Sequence, residues 1–531
     1  MNAFRVIYAI ARADFLERVR RYSYLITLLF AVCLGYGAGT GGISLRLGDY
    51  RGLYTSAWIG AMVALITTTF VSLVGFYIVK GAVDRDRRTG VGQILAGTPL
   101  TKVSYLLGKF LSNFAVLLSM VVVLALAAVA MQIFTAEDRT FHAGASLLPF
   151  LLLALPAMAM TAALAVFFET FRFLRGGFGN VVWFFLWTFG ISLPGLMARP
   201  ELDLFGVWTV YQSMVPAARA GIPGYVDSFS FGIGQKVAQV APGFHWNGVE
   251  WTAAVVLLRV GWIAAAFALV LSGALFFDRF DLSRSRGQFR VKPKQGSLAA
   301  ELEAKPAGVS VGARTAAPIH LTPLAEHAAA PAFARIFVAE LRLTLKGYRW
   351  WWYAAAAGLL IGQFVAPLEV SCGPLLAAAW IWPIFIWSAL GTREARYGTQ
   401  QLLYSCADIL PRQFSAAWLA GVAVTALLGS GAVLRLALAG QTGGVLAWAA
   451  GAVFVPSLAL ALGVWSGTSR FFEGLYTMLW YMGPINRVPG LDFTGAASGA
   501  QAGRISLTYF VITAIVLAAA LFGRFRQLRH A

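Results

Sequence analysis

Long apolar stretches separated by short charged stretches fill most of the chain. A helix needs about 20 predominantly apolar residues to cross the hydrocarbon core of a bilayer. On this measure the pattern predicts twelve spans, six in each half. In the first half they cover residues 23–39, 57–81, 108–133, 147–168, 178–198 and 252–277. In the second half they cover residues 350–367, 374–391, 412–438, 444–466, 474–486 and 506–523, and 474–486 is short for a span. The expected fold class is therefore an all-α polytopic membrane protein with about twelve transmembrane helices.

Composition supports the same class. Of 531 residues, 59% are hydrophobic and 12% are charged, and the mean hydropathy is +0.71. Soluble globular chains carry about 25% charged residues, so this chain has too few to cover a water-facing surface. Its three cysteines and five histidines are scattered without the spacing of a disulfide framework or a metal site. We therefore predict no metal site.

Basic residues outnumber acidic ones by 42 to 23, which gives a net charge of +19. In membrane proteins Lys and Arg concentrate in short cytoplasmic loops near the ends of spans. The basic clusters here lie beside the ends of predicted spans, at residues 18–21, 85–88, 172–175, 279–294, 342–349, 393–396, 470 and 524–529. All of them fall on one side if every span crosses once. We therefore expect a multi-pass protein of the bacterial inner membrane with both termini in the cytoplasm. A nucleic-acid partner would need a separate soluble basic face with base-stacking aromatics, and the sequence offers none.

An internal repeat relates the two halves, because four landmarks recur in the same order. The first lies in an amphipathic helix ahead of each first span, the second follows span two, the third lies between spans four and five, and the fourth ends span six. The matched sets are Ala13, Asp14, Arg20 and Tyr22 with Ala339, Glu340, Lys346 and Tyr348; Arg85, Asp86, Arg88, Gly90, Gln93, Ile94 and Leu95 with Arg393, Glu394, Arg396, Gly398, Gln401, Leu402 and Leu403; Thr170, Arg172, Phe173 and Gly176 with Thr468, Arg470, Phe471 and Gly474; Ala274, Leu275, Phe276, Arg279 and Phe280 with Ala520, Leu521, Phe522, Arg524 and Phe525. An even number of spans per half keeps the two copies parallel.

The repeat predicts two six-span halves, residues 1–281 and 333–531. Residues 282–332 between them are rich in Ala, Pro, Gly and charge and poor in large apolar residues. Such a stretch buries too little apolar surface to offset the entropy of ordering it. We predict that it is a disordered cytoplasmic linker.

The loop after span two carries a family resemblance. Residues 84–109 read DRDRRTGVGQILAGTPLTKVSYLLGK. An acidic and basic run, then Gly, Leu, Thr-Pro, a basic residue and Gly-Lys at the start of the next span, closely resembles the corresponding loop of ABC-2-type transporter permeases. The resemblance implies a coupling helix that seats in a separate cytoplasmic ABC ATPase subunit, present as a dimer. It implicates Asp86, Arg87, Arg88, Gly90, Gln93, Leu95, Pro99 and Lys102, with Gln93 in place of the usual Glu.

We expect the exposed charges of this segment to contact the ATPase, while Ile94 and Leu95 hold it against the spans. The second copy keeps Arg393, Glu394, Arg396 and Gln401. The alternative is a basic loop that only fixes topology.

The second copy also departs from the family pattern. Its proline is shifted to Pro411, and Gly421 is followed by Val422 instead of Lys. We therefore expect the halves to differ at the ATPase. The long outer segment at residues 199–251 resembles the re-entrant outer helices of the family, for which an exit gate and an ordinary outer loop are both open interpretations.

The spans contain few ionisable residues. Arg259 and Arg435 are candidates for the transport path, because intramembrane charges are often functional; an Arg near a span end can instead extend its charge to the interface. No Asp or Glu lies deep in a predicted span, which disfavours an ion-coupled secondary transporter. A non-transporting scaffold is the remaining alternative, and the coupling-like loop argues against it.

Nucleotide-binding and catalytic motifs are missing from the sequence. A phosphate-binding loop would read G-x-x-x-x-G-K-[ST] after a strand, whereas Gly108 and Lys109 are followed by Phe110 at the start of a span. We therefore predict a permease without catalytic residues or a cofactor of its own, whose partner binds ATP. Export is favoured over import by the exporter type of the family, and the sequence leaves the substrate open.

Overall fold

The computed structural model describes residues 3–20, 22–39, 43–48, 50–171, 173–222, 225–227, 229–233, 243–277, 280, 332–406, 408–486, 488, 490–495 and 502–530. The predicted linker at 282–332 lies outside these ranges except for its last residue.

Among its described residues, the first half contains twelve helices and one pair of short strands. The helices are α1 (Ala3–Val19), α2 (Tyr22–Gly39), α3 (Ser56–Ile66), α4 (Ser72–Val79), α5 (Ala82–Arg88), α6 (Val91–Ala96), α7 (Lys102–Thr135), α8 (Ala143–Pro149), α9 (Leu155–Thr170), α10 (Gly177–Met197), α11 (Val207–Gly221) and α12 (Ala253–Phe276). Wider π-helical turns join α3 to α4 at Thr67–Val71 and α8 to α9 at Phe150–Ala154, and Pro200–Leu202 forms a 3₁₀ turn. The strands β1 (Ile43–Arg46) and β2 (Ser230–Ile233) pair antiparallel.

The second half has shorter helices. They are α13 (Ala332–Leu345), α14 (Trp350–Val365), α15 (Leu368–Val370), α16 (Leu376–Ile381), α17 (Ile384–Trp387), α18 (Arg393–Tyr397), α19 (Gln400–Tyr404), α20 (Ser415–Leu428), α21 (Ser430–Leu438), α22 (Thr442–Ser466), α23 (Ser469–Trp480) and α24 (Ala502–His530). Further π-helical turns lie at Ser371–Leu375, Leu410–Phe414 and Tyr481–Ile485. The predicted all-α polytopic class is confirmed, with one two-stranded ribbon added.

Every predicted span coincides with a helix or a run of helices. Within the described residues, seven runs are long and apolar enough to cross a bilayer: Ser56–Arg87, Lys102–Thr135, Ala143–Thr170, Gly177–Met197, Ala253–Phe276, Thr442–Ser466 and Ile505–Arg529. An eighth counts if Leu410–Leu428 and Ser430–Leu438, bent by 61°, form one broken span. The total of twelve therefore stays a prediction.

The run from α3 to α4 is the most buried span and lies at the centre of the first half. Its polar residues are satisfied within the helix, since the Thr67 hydroxyl donates to the Val63 carbonyl at 2.9 Å and Thr68 donates to Leu65 at 3.1 Å. The π-helical turn leaves the Thr69 carbonyl able to accept from the Trp187 indole of α10 at 2.8 Å. These bonds let a polar stretch lie in an apolar core and attach α10 to the central span.

The two halves meet where α4 packs against α23. A Cβ at Gly474 would lie 2.9 Å from the Tyr77 side chain, so glycine permits the close approach. We call the end of the bundle that carries α5 and α6 the inner end, and the end that carries β1 and β2 the outer end.

Candidate functional site

The predicted coupling segment of the first half folds as two short helices, α5 and α6, joined at Gly90. Gly90 has φ = +76°, a conformation that residues with a side chain adopt rarely, so glycine permits the change of direction. Pro99 and Lys102 follow in exposed positions. The Thr101 hydroxyl caps α7 by accepting from the Ser104 N–H at 3.1 Å.

A buried carboxylate anchors the start of α5. Glu169, at the inner end of α9, is 1% exposed and accepts hydrogen bonds from the backbone N–H groups of residues 81–84. A helix leaves these first-turn donors unpaired, and negative charge is favourable beside them. The position of α5 is therefore tied to the fourth span.

A buried ion cluster joins the same segment to α1 and α7. The Asp86 carboxylate accepts from the Tyr105 hydroxyl at 2.7 Å and from the Lys109 ammonium at 2.8 Å. Lys109 also donates to Asp14 at 2.9 Å, and Arg85 pairs with the same carboxylate. Buried charges need such partners. The expectation of an exposed charge is therefore wrong for Asp86, which faces inward and positions the segment.

The cluster explains the Gly-Lys pair at the start of span three. A Cβ at Gly108 would lie 2.8 Å from Ile10 of α1, so glycine lets α1 approach α7 closely enough for Lys109 to reach Asp14. Burial alone would raise the pKa of Asp14, but Arg18, Lys109 and Arg85 outweigh it and hold this pKa below its ordinary value of 3.8. The Asp14 carboxylate is thus charged at neutral pH.

The outward face of α6 is apolar. Ile94 is 72% exposed and Val91 is 42% exposed, with Gln93 exposed between them. Leu95 is half-buried and lines a small crevice with Phe280. Of the two residues expected to pack against the spans, Leu95 does so and Ile94 does not. α6 therefore offers a large apolar side chain to a partner.

The arginines at the end of α5 were expected to contact the ATPase, but Arg87 lies against the protein itself. The Arg87 guanidinium lies 5.7 Å from the centre of the Phe280 ring, a cation–π contact that holds the half-buried side chain on the protein. The side chain of Arg88 lies outside the described part of the structure.

The second half contains the same arrangement in α18 and α19, joined at Gly398 with φ = +66°. Arg393 pairs with Glu340 of α13 at 2.8 Å, as Arg85 pairs with Asp14 of α1. Leu402 is 76% exposed and occupies the position that the sequence repeat matches to Ile94. Each half thus presents a largely exposed aliphatic residue, Ile94 or Leu402, on a pair of short inner helices.

The departures of the second copy have a structural counterpart. Glu394 is buried, accepts from Gln413 at 3.2 Å and contacts Arg524 of α24 at 3.4 Å. Arg524 is the cation beside the buried Glu394, as Lys109 is the cation beside the buried Asp86 in the first half. The lysine that the family pattern would place after Gly421 is therefore not needed. Arg396 and Gln401 are exposed.

A cleft of about 580 Å³ lies between the halves. Most of its lining residues are aromatic. They are Tyr77, Phe178, Phe184 and Phe185 from the first half and Tyr348, Trp351, Trp352, Trp382, Phe385 and Trp480 from the second. Cavities of this size hold drug-sized ligands.

A polar network crosses between the halves at the inner side of this cleft. Arg470 of α23 donates to the Lys80 carbonyl and to Asp84, both at 2.8 Å. The Asn180 amide donates to Glu473, which is 6% exposed and lines the cleft. The network connects the start of α5 to the wall of the cleft.

Arg259 lies away from the cleft. It is 1% exposed, contacts Asp203 at 3.2 Å and donates to the Thr209 hydroxyl at 2.5 Å. Both partners belong to the outer segment, which includes α11 and β2 but is not described at residues 223–224, 228 and 234–242. Arg259 therefore fastens the outer segment to α12.

Arg435 also lies outside the cleft lining. Its guanidinium donates to the carbonyls of Gln363, at 3.0 Å, and Ala366, and so caps the last turn of α14. The Gln363 amide donates to Leu428 at 2.8 Å and accepts from Ala432 at 3.0 Å. It thereby bridges the break between α20 and α21.

Sequence reasoning missed Glu169 and Glu473. Each lies one residue outside a predicted span, 147–168 and 474–486. An acidic residue next to a span and close to arginines was the available signal. Its role was hidden because the partners of Glu169 lie 85 or more positions away.

Comparison with known proteins agrees with this geometry. Residues 8–282, more than half of the chain, match the family described as ABC-2 family transporter protein. The chain belongs to this family. No curated protein and no solved structure matches it. As an ABC-2 permease it is a multi-pass membrane protein, and membership implies an ABC ATPase partner. The match ends near the predicted linker, so the origin of the second half by duplication stays a prediction.

Proposed function

We propose that this ABC-2 permease is the membrane subunit of an exporter, powered by two separate ATPase subunits that dock on α5–α6 and on α18–α19. The observation that carries the proposal is the matched pair Ile94 and Leu402. Both are exposed, and both stand on helix pairs anchored by equivalent ion pairs. Large apolar residues on rigid elements are typical anchors of protein interfaces.

ATP binding is assigned to the partner because the chain lacks a phosphate-binding loop. Its one comparable Gly-Lys pair serves the buried ion cluster instead. Export is supported by the exporter type of the family. The basic clusters at the inner end support an inner-membrane orientation with cytoplasmic termini.

The anchored contacts provide a route from the docking surface to the cleft. Glu169 fixes the start of α5, and Arg470 joins α5 to the second half. A rigid segment held in this way transmits displacement instead of absorbing it. We infer that ATP-driven movement of α5–α6 shifts α23 relative to α10, and that the cleft between these helices is the transport path.

The equivalent pairs Asp14–Arg85 and Glu340–Arg393 also support an origin of the two halves by duplication. Buried pairs of the same type, between a leading helix and the start of the coupling segment, recur at positions that the sequence matches independently. Residues 1–281 and 333–531 are accordingly proposed as two permease halves.

Purification tests the proposal. The chain isolated alone should hydrolyse no ATP above background. The chain isolated gently from its native membrane should bring down a protein that is labelled by a photoreactive ATP analogue. Hydrolysis by the purified chain alone would overturn the assignment of the motor to a separate subunit.

A further inference from the structure

We propose that the cleft between the halves binds a lipophilic cation, with the Glu473 carboxylate as its counter-ion. This assignment rests on the proposed function only in treating the cleft as the transport path. Three observations support it: the aromatic lining of the cleft, one Glu473 carboxylate oxygen that accepts no hydrogen bond from the described residues, and the exposed residues at the opening of the cleft.

The lining favours a flat or branched apolar body. Its aromatic rings supply large apolar area, and their faces attract cations over distances of about 6 Å. Four of the lining residues are tryptophans, the best of the aromatic residues for this contact. A sugar or another strongly polar ligand would lose its hydrogen bonds to water with few groups here to replace them.

Glu473 is the one carboxylate among the described residues that line the cleft. Its Oε2 accepts from the Asn180 amide. Asn180 is oriented for this because the Lys80 ammonium donates to its Oδ1 at 2.6 Å. Among the described residues no donor reaches Oε1 of Glu473. The carboxylate therefore keeps one oxygen for a ligand.

The cations near the cleft are bonded to other groups, and the Lys80 ammonium acts on Glu473 electrostatically without a direct hydrogen bond. Lys80 donates to Asn180 and, at 3.3 Å, to the Gly176 carbonyl. Arg470 binds Asp84 and the Lys80 carbonyl. Arg349 lines the cleft but is exposed, so water and salt screen its charge. A carboxylate in apolar surroundings favours a cation and disfavours an anion of the same shape.

The mouth of the cleft indicates where such a ligand comes from. Phe178 and Phe185 line the cleft and are 63% and 51% exposed. Both lie on α10, a span largely uncovered by other helices. The opening therefore faces the lipid-contacting surface, and a ligand dissolved in the bilayer can reach it.

Binding of two ions of the same shape tests the proposal. The purified full chain is titrated with tetraphenylphosphonium, a cation, and tetraphenylborate, an anion, using displacement of radiolabelled probe by unlabelled probe. We expect saturable binding of the cation, at least about tenfold tighter than the anion, since a buried charge of the wrong sign costs more than 1.4 kcal/mol. Equal affinity, or tighter binding of the anion, would overturn the assignment.

Variants locate the site. Glu473→Gln should weaken cation binding about tenfold or more, while Glu473→Asp should retain part of it. Glu369→Gln, an exposed carboxylate outside the lining, is the matched control and should change nothing. Unchanged cation affinity in folded Glu473→Gln would refute the role of the carboxylate.

A second pair of variants covers the case in which Glu473→Gln fails to fold. Phe185→Ala removes an exposed lining ring and should weaken cation binding. Phe364→Ala removes a ring that is 49% exposed, near the end of α14 and outside the lining, and should not. Equal effects of the two changes would contradict the placement of the site.

The binding assay contains neither ATP nor an ATPase. Cation binding without ATPase association would therefore refute only the proposed function. ATPase association without cation binding would refute only this inference.

Discussion

Truncation of the two exposed apolar residues at the inner end is the sharpest test of how the ATPase docks. Ile94 and Leu402 leave 72% and 76% of their surface exposed, so about three-quarters of each residue is available for burial by a partner. Ile94→Ala removes three carbon atoms. At about 0.8 kcal/mol per buried methylene, the change costs about 2 kcal/mol of docking energy. Since 1.4 kcal/mol is a factor of ten, affinity should fall about 30-fold.

The assay is a titration of the purified chain with its labelled ATPase subunit. Leu402→Ala should weaken the second docking site by a similar factor, and the double variant should lose both. Folding should be unaffected, because exposed substitutions typically cost within about 0.5 kcal/mol.

The matched control is Ile133→Ala, which truncates an isoleucine that is 68% exposed near the outer end of α7. It should leave ATPase affinity unchanged. Unaltered affinity in Ile94→Ala, or an equal loss in Ile133→Ala, would refute the docking surface.

Three further predictions concern the anchors and the topology. Asp14→Asn should destabilise the chain by about 3–5 kcal/mol, because it leaves Lys109 and Arg85 short of a buried partner. Since the folded pKa of Asp14 is below its unfolded value, this stabilisation is present above about pH 4 and is lost as pH falls further. The midpoint temperature of thermal unfolding should therefore fall less steeply between pH 7 and pH 3 in the variant than in the unchanged chain. Parallel curves would contradict the ion cluster. Arg259→Ala should speed proteolysis of the outer segment while leaving ATPase affinity intact, because buried Asp203 loses its cationic partner and keeps only Thr209 among the described residues; unchanged proteolysis would show that the pair does not fasten the segment. The third prediction uses a background lacking Cys33, Cys372 and Cys406. In it, Asp227→Cys should react with a membrane-impermeant thiol reagent from outside, and Gln93→Cys should react only after the membrane is opened. Reversed labelling would show that the chain has the opposite orientation in the membrane.

The positions of the helices could be predicted from the sequence because bilayer crossing imposes a long apolar run that local composition reveals. The paired inner helices were predictable for a similar reason, since Gly90 and Gly398 mark turns and the acidic and basic residues beside them recur. Both features depend on residues that are close together in the chain.

The orientation of α6 was not predictable. A helix of six residues is too short for its apolar positions to define one face by periodicity, so Ile94 and Leu95 were both expected to pack inward. Their environment is decided by Phe280, nearly 190 positions away, which covers Leu95 and leaves Ile94 free. Glu169 and Glu473 were missed for the same reason, because their bonds to residues 81–84 and to Asn180 connect distant segments.

Site-specific crosslinking gives the most direct test of the claim that separate ATPase subunits dock on both halves. Photocrosslinkers placed at Gln93 and at Gln401, both exposed beside the apolar residues, should each capture the same protein in native membranes, and that protein should be labelled by a photoreactive ATP analogue. A crosslinker at Ile133 should not capture it. Failure at both inner positions in a folded, inserted chain would contradict the account.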